Sequence, residues 1–359
     1  MMWPWIAFIA FVLLMLALDL GVFHRKAHVV SVKEALTWSG VWVALGVAFS
    51  AFVYLAYEGK WFGLGTLVDP VDGLVNDGTR ATEKYLTGYL VEKSLSVDNI
   101  FVISMIFSFF AVPAIYQHRV LFWGILGALL MRGVMIGVGT RLIAEFHWVL
   151  YVFAAFLILT ALKMLFMKVD HADLNQNAVV RLTRRFFPVT ARFHGEHFFV
   201  RAGSPASHER EKPGAPTMPD EIVDKAAKGT ILLTPLALAL VMVETTDLIF
   251  AVDSIPAIFA ITSDAFLVFT SNVFAILGLR SLYFVLAGMM QKFRYLKTAL
   301  AAVLMVVGLK MIFAEWLKMA LGSHFNLYLL VVVLSILTIG VLASFFTAGR
   351  DSSRSGRAA

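Results

Sequence analysis

Nine apolar stretches run along the chain, at roughly 3–23, 35–58, 84–112, 117–142, 147–167, 230–260, 264–290, 296–317 and 325–347. A helix needs about 20 apolar residues to cross a bilayer, so each stretch reads as a span. Those at 84–112 and 230–260 are longer, which predicts tilt or a break in both. The polar residues between stretches sort by sign. Arg25, Lys26 and Lys33 follow the first, Arg119 the third, and Arg181, Arg184, Arg185 and Arg192 the fifth. The run Gln291-Lys-Phe-Arg-Tyr-Leu-Lys297 follows the seventh, and Arg350, Arg354 and Arg357 the ninth. The connection after the second is acidic, with Asp69, Asp72, Asp77 and Glu83 against Lys60 and Arg80. With nine spans, every basic connection falls on one side. The positive-inside rule then predicts an external N-terminus and a cytoplasmic C-terminus. An even count would scramble that order.

Composition fixes the class. Hydrophobic residues make up 60% of the chain and charged residues 15%, where soluble domains carry about 25% charged. The expected fold class is an all-α polytopic membrane protein in contact with the lipid bilayer. The net charge of +6 sits in the membrane-flanking connections, so it reports topology and not a nucleic-acid partner. There is no cysteine, which excludes disulfides and thiolate metal sites. The opening Met1-Met2-Trp3-Pro4-Trp5 lacks the basic start and cleavage site of a signal peptide, so the first helix is expected to be retained.

Three rare intramembrane charges recur in order. Asp98 in Ser96-Val-Asp98-Asn-Ile-Phe matches Asp247 in Thr245-Thr-Asp247-Leu-Ile-Phe. Arg132 matches Arg280, and Leu162-Lys163-Met-Leu-Phe166 matches Leu309-Lys310-Met-Ile-Phe313. Near-constant spacing argues for a duplication. Each unit has three spans, an odd number, so the copies enter the membrane from opposite sides. This predicts a 3+3 inverted-topology repeat with a site at the repeat interface. The expected organisation is 1–83 (two peripheral helices and an acidic external loop), 84–167 (first repeat), 168–229 (basic cytoplasmic loop), 230–317 (second repeat) and 318–359 (last helix and basic tail). Within the loop, 178–200 reads as an amphipathic stretch. The remainder, with Pro205, Pro213, Pro216 and Pro219, reads as a linker.

The candidate chemistry lies in the spans. Glu244-Thr-Thr-Asp247-Leu-Ile-Phe-Ala-Val-Asp253-Ser-Ile-Pro256 places three carboxylates in an apolar run. A charge at bilayer depth costs about 2.5–3.5 kcal/mol on insertion scales, so these residues are expected to work. On a regular helix Asp253 lies about 240° round from Asp247. Pro256 has no N–H for the carbonyl of Val252, which predicts a broken helix beside Asp253. Asp98 and Asn99 face from the other repeat, with Asn272 in the polar patch Thr270-Ser-Asn272. Asp253 has no acidic counterpart, because Ser104 stands at the matching position. Ser96, Thr245, Thr246 and Ser254 add hydroxyls. Such hard oxygen donors suit Mn²⁺, Mg²⁺ or Ca²⁺ better than Cu⁺ or Zn²⁺.

Glu92 lies toward the outer side and could line an entry path. A purely structural reading pairs Asp98 with Arg132 and Asp247 with Arg280, and still leaves three acids over. Lys163 and Lys310 can snorkel to the interface. The histidines, such as His24, His28, His118, His147 and His171, read as solvated loop or segment-end residues. The 31 Phe and eight Trp read as lipid-facing and interfacial.

Two long motifs carry a resemblance. Glu92-Lys-Ser-Leu-Ser-Val-Asp98-Asn-Ile-Phe-Val and Glu244 through Ile261 resemble the TerC family of integral membrane proteins. Ser271-Asn-Val-Phe-Ala-Ile-Leu-Gly-Leu-Arg-Ser281 and Arg294-Tyr-Leu-Lys297 extend the likeness over about 84–317. The length and first two spans resemble the Alx-like branch. That resemblance implies a manganese exporter of the bacterial inner membrane, with the motif residues Asp98, Asn99, Glu244, Asp247 and Asp253 at its site.

The expected function is a secondary transporter exporting divalent cations, Mn²⁺ foremost, in exchange for H⁺, with no resident cofactor. No Gly-x-x-x-x-Gly-Lys-Ser/Thr motif offers ATP as a driving force. An intramembrane aspartyl protease would need a Gly-x-Gly-Asp stretch, and the chain has none. A scaffold or insertion partner built on the 168–229 loop, or a transporter of another cation such as Ca²⁺, remain the alternatives. Oligomeric state is not legible.

Overall fold

A computed structural model describes residues 3–18, 31–146, 148–166, 178–204, 220–286, 295–321 and 325–355. His24, Arg25, Lys26, His28, His147, His171, the four linker prolines, Gln291–Arg294 and Arg357 lie outside these residues. The described backbone is mostly helical: α1 (Trp3–Leu18), α2 (Val32–Glu58), α3 (Gly78–Phe109), α4 (Ala114–Glu145), α5 (Val149–Phe166), α6 (Ala178–Phe186), α7 (Glu221–Lys225), α8 (Pro235–Phe259), α9 (Ala265–Leu277), α10 (Leu279–Leu286), α11 (Leu296–Ile312), α12 (Ala314–Leu321) and α13 (Phe325–Ser355). Two short antiparallel pairs complete it, β1 (Val68–Asp69) with β2 (Leu74–Val75) and β3 (Phe199–Arg201) with β4 (Ile231–Leu233).

Side-chain caps set where the key helices begin. Asp77 accepts from the Arg80 N–H at 2.8 Å to start α3. Thr234 starts α8, with Pro235 at its first position. Asp264 accepts from the Phe266 and Leu267 N–H groups to start α9. Each satisfies amides that the first helical turn leaves without partners.

Among the described residues, five helices are long and apolar enough alone to cross a membrane: α2, α4, α5, α8 and Asn326–Ser344 of α13. The pair α9 and α10, bent by 42°, makes a sixth if counted as one span. The other three apolar stretches coincide with helices that miss this measure for visible reasons. Over the described residues, α1 and Thr298–Ile312 of α11 are short, while α3 carries Glu83, Lys84, Glu92, Lys93 and Asp98.

The break expected at Pro256 is absent. α8 continues through it to Phe259, and the Pro256 carbonyl accepts from the Ala260 N–H at 2.9 Å. The proline sits in the last turn, where few further hydrogen bonds depend on the geometry it disturbs. The bend falls instead at Gly278, ahead of Arg280. A Cβ there would lie 2.9 Å from both Lys93 Nζ and Trp42 Cβ. Lys93 uses this opening to donate to the Ala275 carbonyl at 3.1 Å.

The helices pack reciprocally. α3 packs on α9 and α4 on α8, α3 also packs on α8 and α4 on α9, and α5 lies along α11. α2 covers α3 and α10, and α13 covers α3 and α11. Phe8, Phe49, Phe266 and Phe274 interlock beneath α1, with Phe49 and Phe274 centroids 4.7 Å apart. Many Phe residues therefore build the core, against the lipid-facing expectation, because bulky rings fill the gaps between crossing helices. Trp42 is likewise buried, while Trp3, Trp123, Trp148 and Trp316 are exposed.

The described part of 168–229 is also more ordered than a linker. β3 pairs with β4, and Val200, Ala202, Val223 and Leu232 form a small core of their own. Residues 231–233, expected inside a span, are strand, since Thr234 and Pro235 fix the helix start after them. His194 is buried, 3.5 Å from Asp220, which departs from the solvated reading of the histidines.

Candidate functional site

The Arg132 guanidinium, on α4, lies at the centre of a buried cluster drawn from three other helices. Nη1 donates to Glu92 Oε1 on α3, to Asn272 Oδ1 on α9 at 2.8 Å and to Ser254 Oγ on α8 at 3.3 Å. Nη2 and Nε donate to the Asp247 carboxylate on α8 at 3.2 and 3.4 Å. The Arg132 side chain is 2% exposed and that of Glu92 0%, so the pair is shielded from water, while Asp247 keeps 18%. Arg132, Glu92 and Asp247 each stand near mid-length of their helices, far from either end.

This arrangement corrects two expectations. Asp247 pairs with Arg132, the partner expected for Asp98. The reason is the packing of α4 directly on α8, where Gly124 and Gly127 let the helices approach. Glu92 does not line an entry path; it is closed off beneath Arg132. A Cβ at Gly127 would overlap the Glu244 carboxylate, so that glycine is the space in which Glu244 lies.

The remaining expected residues distribute as follows. Glu244 lies in electrostatic range of Asp247, and Asp253 in range of Asp98 and Lys163. Asn99 is buried and Asp98 partly so. Arg280 is buried on α10. Lys163 is exposed on the last turn of α5. Lys310 does not snorkel. It is buried and donates to the Ala260 carbonyl at 2.6 Å, closing the end of α8. Among the described residues, no three His, Cys, Asp or Glu side chains gather as a metal-holding group. The acids are divided between the Arg132 cluster and the Asp98–Asp253–Lys163 group.

A second buried network was not expected from the sequence. The acidic loop folds back over the helix ends, and Lys84 donates to Asp69 at 2.8 Å, Asp72 at 2.7 Å and Asn76 at 2.6 Å. Asp69 also accepts from Thr262 Oγ1, from Ser263 Oγ at 2.9 Å and from the Ser263 N–H at 3.1 Å. It thereby ties the loop to the α8–α9 turn. Burial alone would push the Asp69 carboxyl up; Lys84, Thr262 and the Val71 N–H outweigh it and hold it at about 2. Asp264 accepts from Tyr57 at 2.9 Å, yet burial dominates and raises its pKa. The available signal was Lys84 standing beside four loop acids, with Thr262-Ser263-Asp264 as a capping sequence opposite.

A helical bundle of long apolar helices with charges buried at mid-helix is an integral membrane protein. The chain belongs to the TerC family: the family model described as "Integral membrane protein TerC family" matches residues 77–352. It is 49% identical over 315 residues (88% of this chain, 85% of the relative) to "Uncharacterized membrane protein STKORF319" of Myxococcus xanthus. It is 40% identical over 336 residues (92% and 93%) to "Putative membrane-bound redox modulator Alx" of Escherichia coli K12. A Rickettsia bellii "Uncharacterized membrane protein" is 37% identical over 340 residues (95% and 96%). These likenesses fit the Alx-like branch of the family. No solved structure matches.

Proposed function

We propose that this protein is a secondary transporter that exports divalent cations, Mn²⁺ foremost, from the cytoplasm in exchange for protons. One observation carries the reading. Two carboxylates, an amide oxygen and a hydroxyl converge from α3, α8 and α9 at mid-span, around Arg132. Structural pairing alone needs fewer acids than the spans hold. The candidate ligands are Asp247 and Asn272 within this cluster and Asp98, Asn99, Glu244 and Asp253 beyond it, with Glu92 and Ser254 completing the oxygens around Arg132, a hard donor set matched to Mn²⁺. Reciprocal packing of α3 on α9 and α4 on α8 supports the 3+3 inverted repeat, whose rocking would expose the site to each side. Nine spans in a bacterial inner membrane, with the N-terminus outside, complete this reading. Exporting a dication against the potential costs about 4.6 kcal/mol per 100 mV, which proton entry would supply. A Mn²⁺ exporter without cysteine would touch redox balance through its cargo.

Proteoliposome flux tests this. An imposed pH gradient should drive Mn²⁺ movement in wild type, and Asp98→Asn and Asp247→Asn should abolish it. Wild-type rates in both variants would sink the mechanism. Parallel runs with Mg²⁺, Ca²⁺ and Zn²⁺ decide the cargo.

A second reading, a scaffold or insertion partner, draws on the small folded unit around β3 and β4. Deleting 205–219 leaves both strands intact. A transporter should keep its flux, while a scaffold built on this loop should lose its partner.

A further inference from the structure

We propose that the Arg132 guanidinium is a tethered stand-in for the transported cation. It occupies the oxygen cluster of Glu92, Asp247, Asn272 and Ser254 while the site carries no ion, and a divalent cation must displace it to bind. This inference rests on the transporter reading above and assigns Arg132 the role of competitor.

The acceptors themselves point this way. Every group that takes a hydrogen bond from Arg132 is a hard oxygen: Glu92 Oε1, Asn272 Oδ1, Ser254 Oγ and both Asp247 oxygens. They arrive from three helices, and Arg132 reaches in from a fourth. A glue residue needs one carboxylate; this one collects the donor set that a Mn²⁺ or Ca²⁺ ion would choose. The charge count agrees. Two carboxylates and one guanidinium leave one negative charge, and replacing the guanidinium by a dication leaves none.

The guanidinium also satisfies the cluster incompletely. Among the described residues, Glu92 Oε2, Asn272 Nδ2 and the neighbouring Ser96 Oγ are buried without a hydrogen-bond partner. Buried polar atoms are rarely left this way. A metal ion can take both oxygens of a carboxylate, which Arg132 does not do at Glu92. A displaced guanidinium needs another anion. Glu244 stands one turn earlier on α8, its buried Oε2 without a hydrogen-bond partner among the described residues, and lies against Gly127 on the helix that carries Arg132. In the metal-bound state this would make Glu244 the acceptor of the displaced side chain.

A built-in competitor has a use. Transport requires binding strong enough to load and weak enough to release. A guanidinium returning to its oxygens raises the off-rate of the ion it replaces.

The test is Mn²⁺ binding to purified full-length protein by titration calorimetry, with proteoliposome efflux alongside. Arg132→Gln should bind Mn²⁺ at least about tenfold more tightly than wild type, yet turn over more slowly because release is slower. Arg132→Lys guards against misfolding of the first variant. A lysine ammonium keeps the charge but cannot hold both carboxylates through a fork, so binding should tighten by a smaller factor, about threefold. If wild type binds and moves Mn²⁺ while both folded variants bind it no more tightly, Arg132 is a structural partner and the inference is overturned. If only Arg132→Lys folds, its affinity decides alone. If wild type neither binds nor moves any of the four dications, the transporter reading itself fails.

Discussion

Replacing Lys84 by Met tests the outer network most severely. The wild-type ammonium donates all three of its N–H groups, to Asp69, Asp72 and Asn76. Both carboxylates are buried, at 0% and 1% side-chain exposure. Removing one partner of a buried pair costs about 3–5 kcal/mol, because the other charge is left without compensation. The net shift at Asp69 points the same way. The Asp69 pKa falls from 3.8 to about 2, which corresponds to roughly 2.5 kcal/mol of differential stabilisation. The Thr262 and Ser263 bonds to Asp69 persist in the variant, so the low end, about 3 kcal/mol, is expected. At about 2.1 cal/mol/K per residue, the unfolding entropy of this chain turns that into a fall in Tm of about 4 °C.

The pH dependence is more diagnostic than the size. In wild type, the depressed Asp69 pKa contributes stability that is complete above about pH 4. It is lost only as pH falls through about 2. In Lys84→Met the largest lowering influence is gone while burial and the Thr262 and Val71 bonds remain, so the Asp69 pKa rises. Protonation then relieves the orphan charge, and the variant should gain stability relative to wild type between pH 8 and 5. Thermal unfolding in detergent, followed by tryptophan fluorescence, reads both. A variant within 1 °C of wild type, or one that weakens relative to wild type on acidification over that range, would refute the reasoning.

Three further outcomes follow from the geometry. Gly127→Ala puts a methyl where the Glu244 carboxylate lies, so pH-driven Mn²⁺ flux should fall about tenfold or more while the protein still purifies folded. Lys310→Met removes the donor to the buried Ala260 carbonyl and should cost about 1–3 kcal/mol by thermal unfolding. At Asp264, burial raises the carboxyl pKa, so its charged form works against folding. Asp264→Asn keeps the cap without that charge and should match or exceed wild-type stability at pH 8. Asp264→Ala loses the cap and should cost about 1 kcal/mol.

Much of the architecture was legible because it rests on local rules. Membrane helices need long apolar runs, so the apolar stretches coincide with helices over the described residues, with ends off by as much as a turn or two. Thr234-Pro235 and Asp264 announce their helix starts by cap chemistry. What failed was tertiary. Pro256 looks like a break, but α8 runs three residues past it, and the bend falls at Gly278, where Lys93 and Trp42 press against the backbone. The 31 phenylalanines looked like lipid surface. Hydrophobicity alone does not separate a ring facing lipid from one facing Phe274, since both environments are apolar.

The site shows the same division more sharply. Glu92, Arg132, Asp247 and Asn272 were all named from sequence, because a charge or amide inside a span is improbable without a partner. Their pairing was not, and pairing is what decides the chemistry. Matching Asp98 with Arg132 assumes that each repeat satisfies itself. Packing of α4 on α8 gives the arginine of the first repeat to the aspartate of the second, and α3 adds Glu92 to the same guanidinium. Asp98 is left in range of Asp253, which itself lies in range of Lys163. Two acids sharing a bound cation and two acids near an exposed lysine are different sites, although all four look alike along the chain. Charge conservation across a buried interface therefore has to be counted per cluster, and only the fold says which residues belong to which.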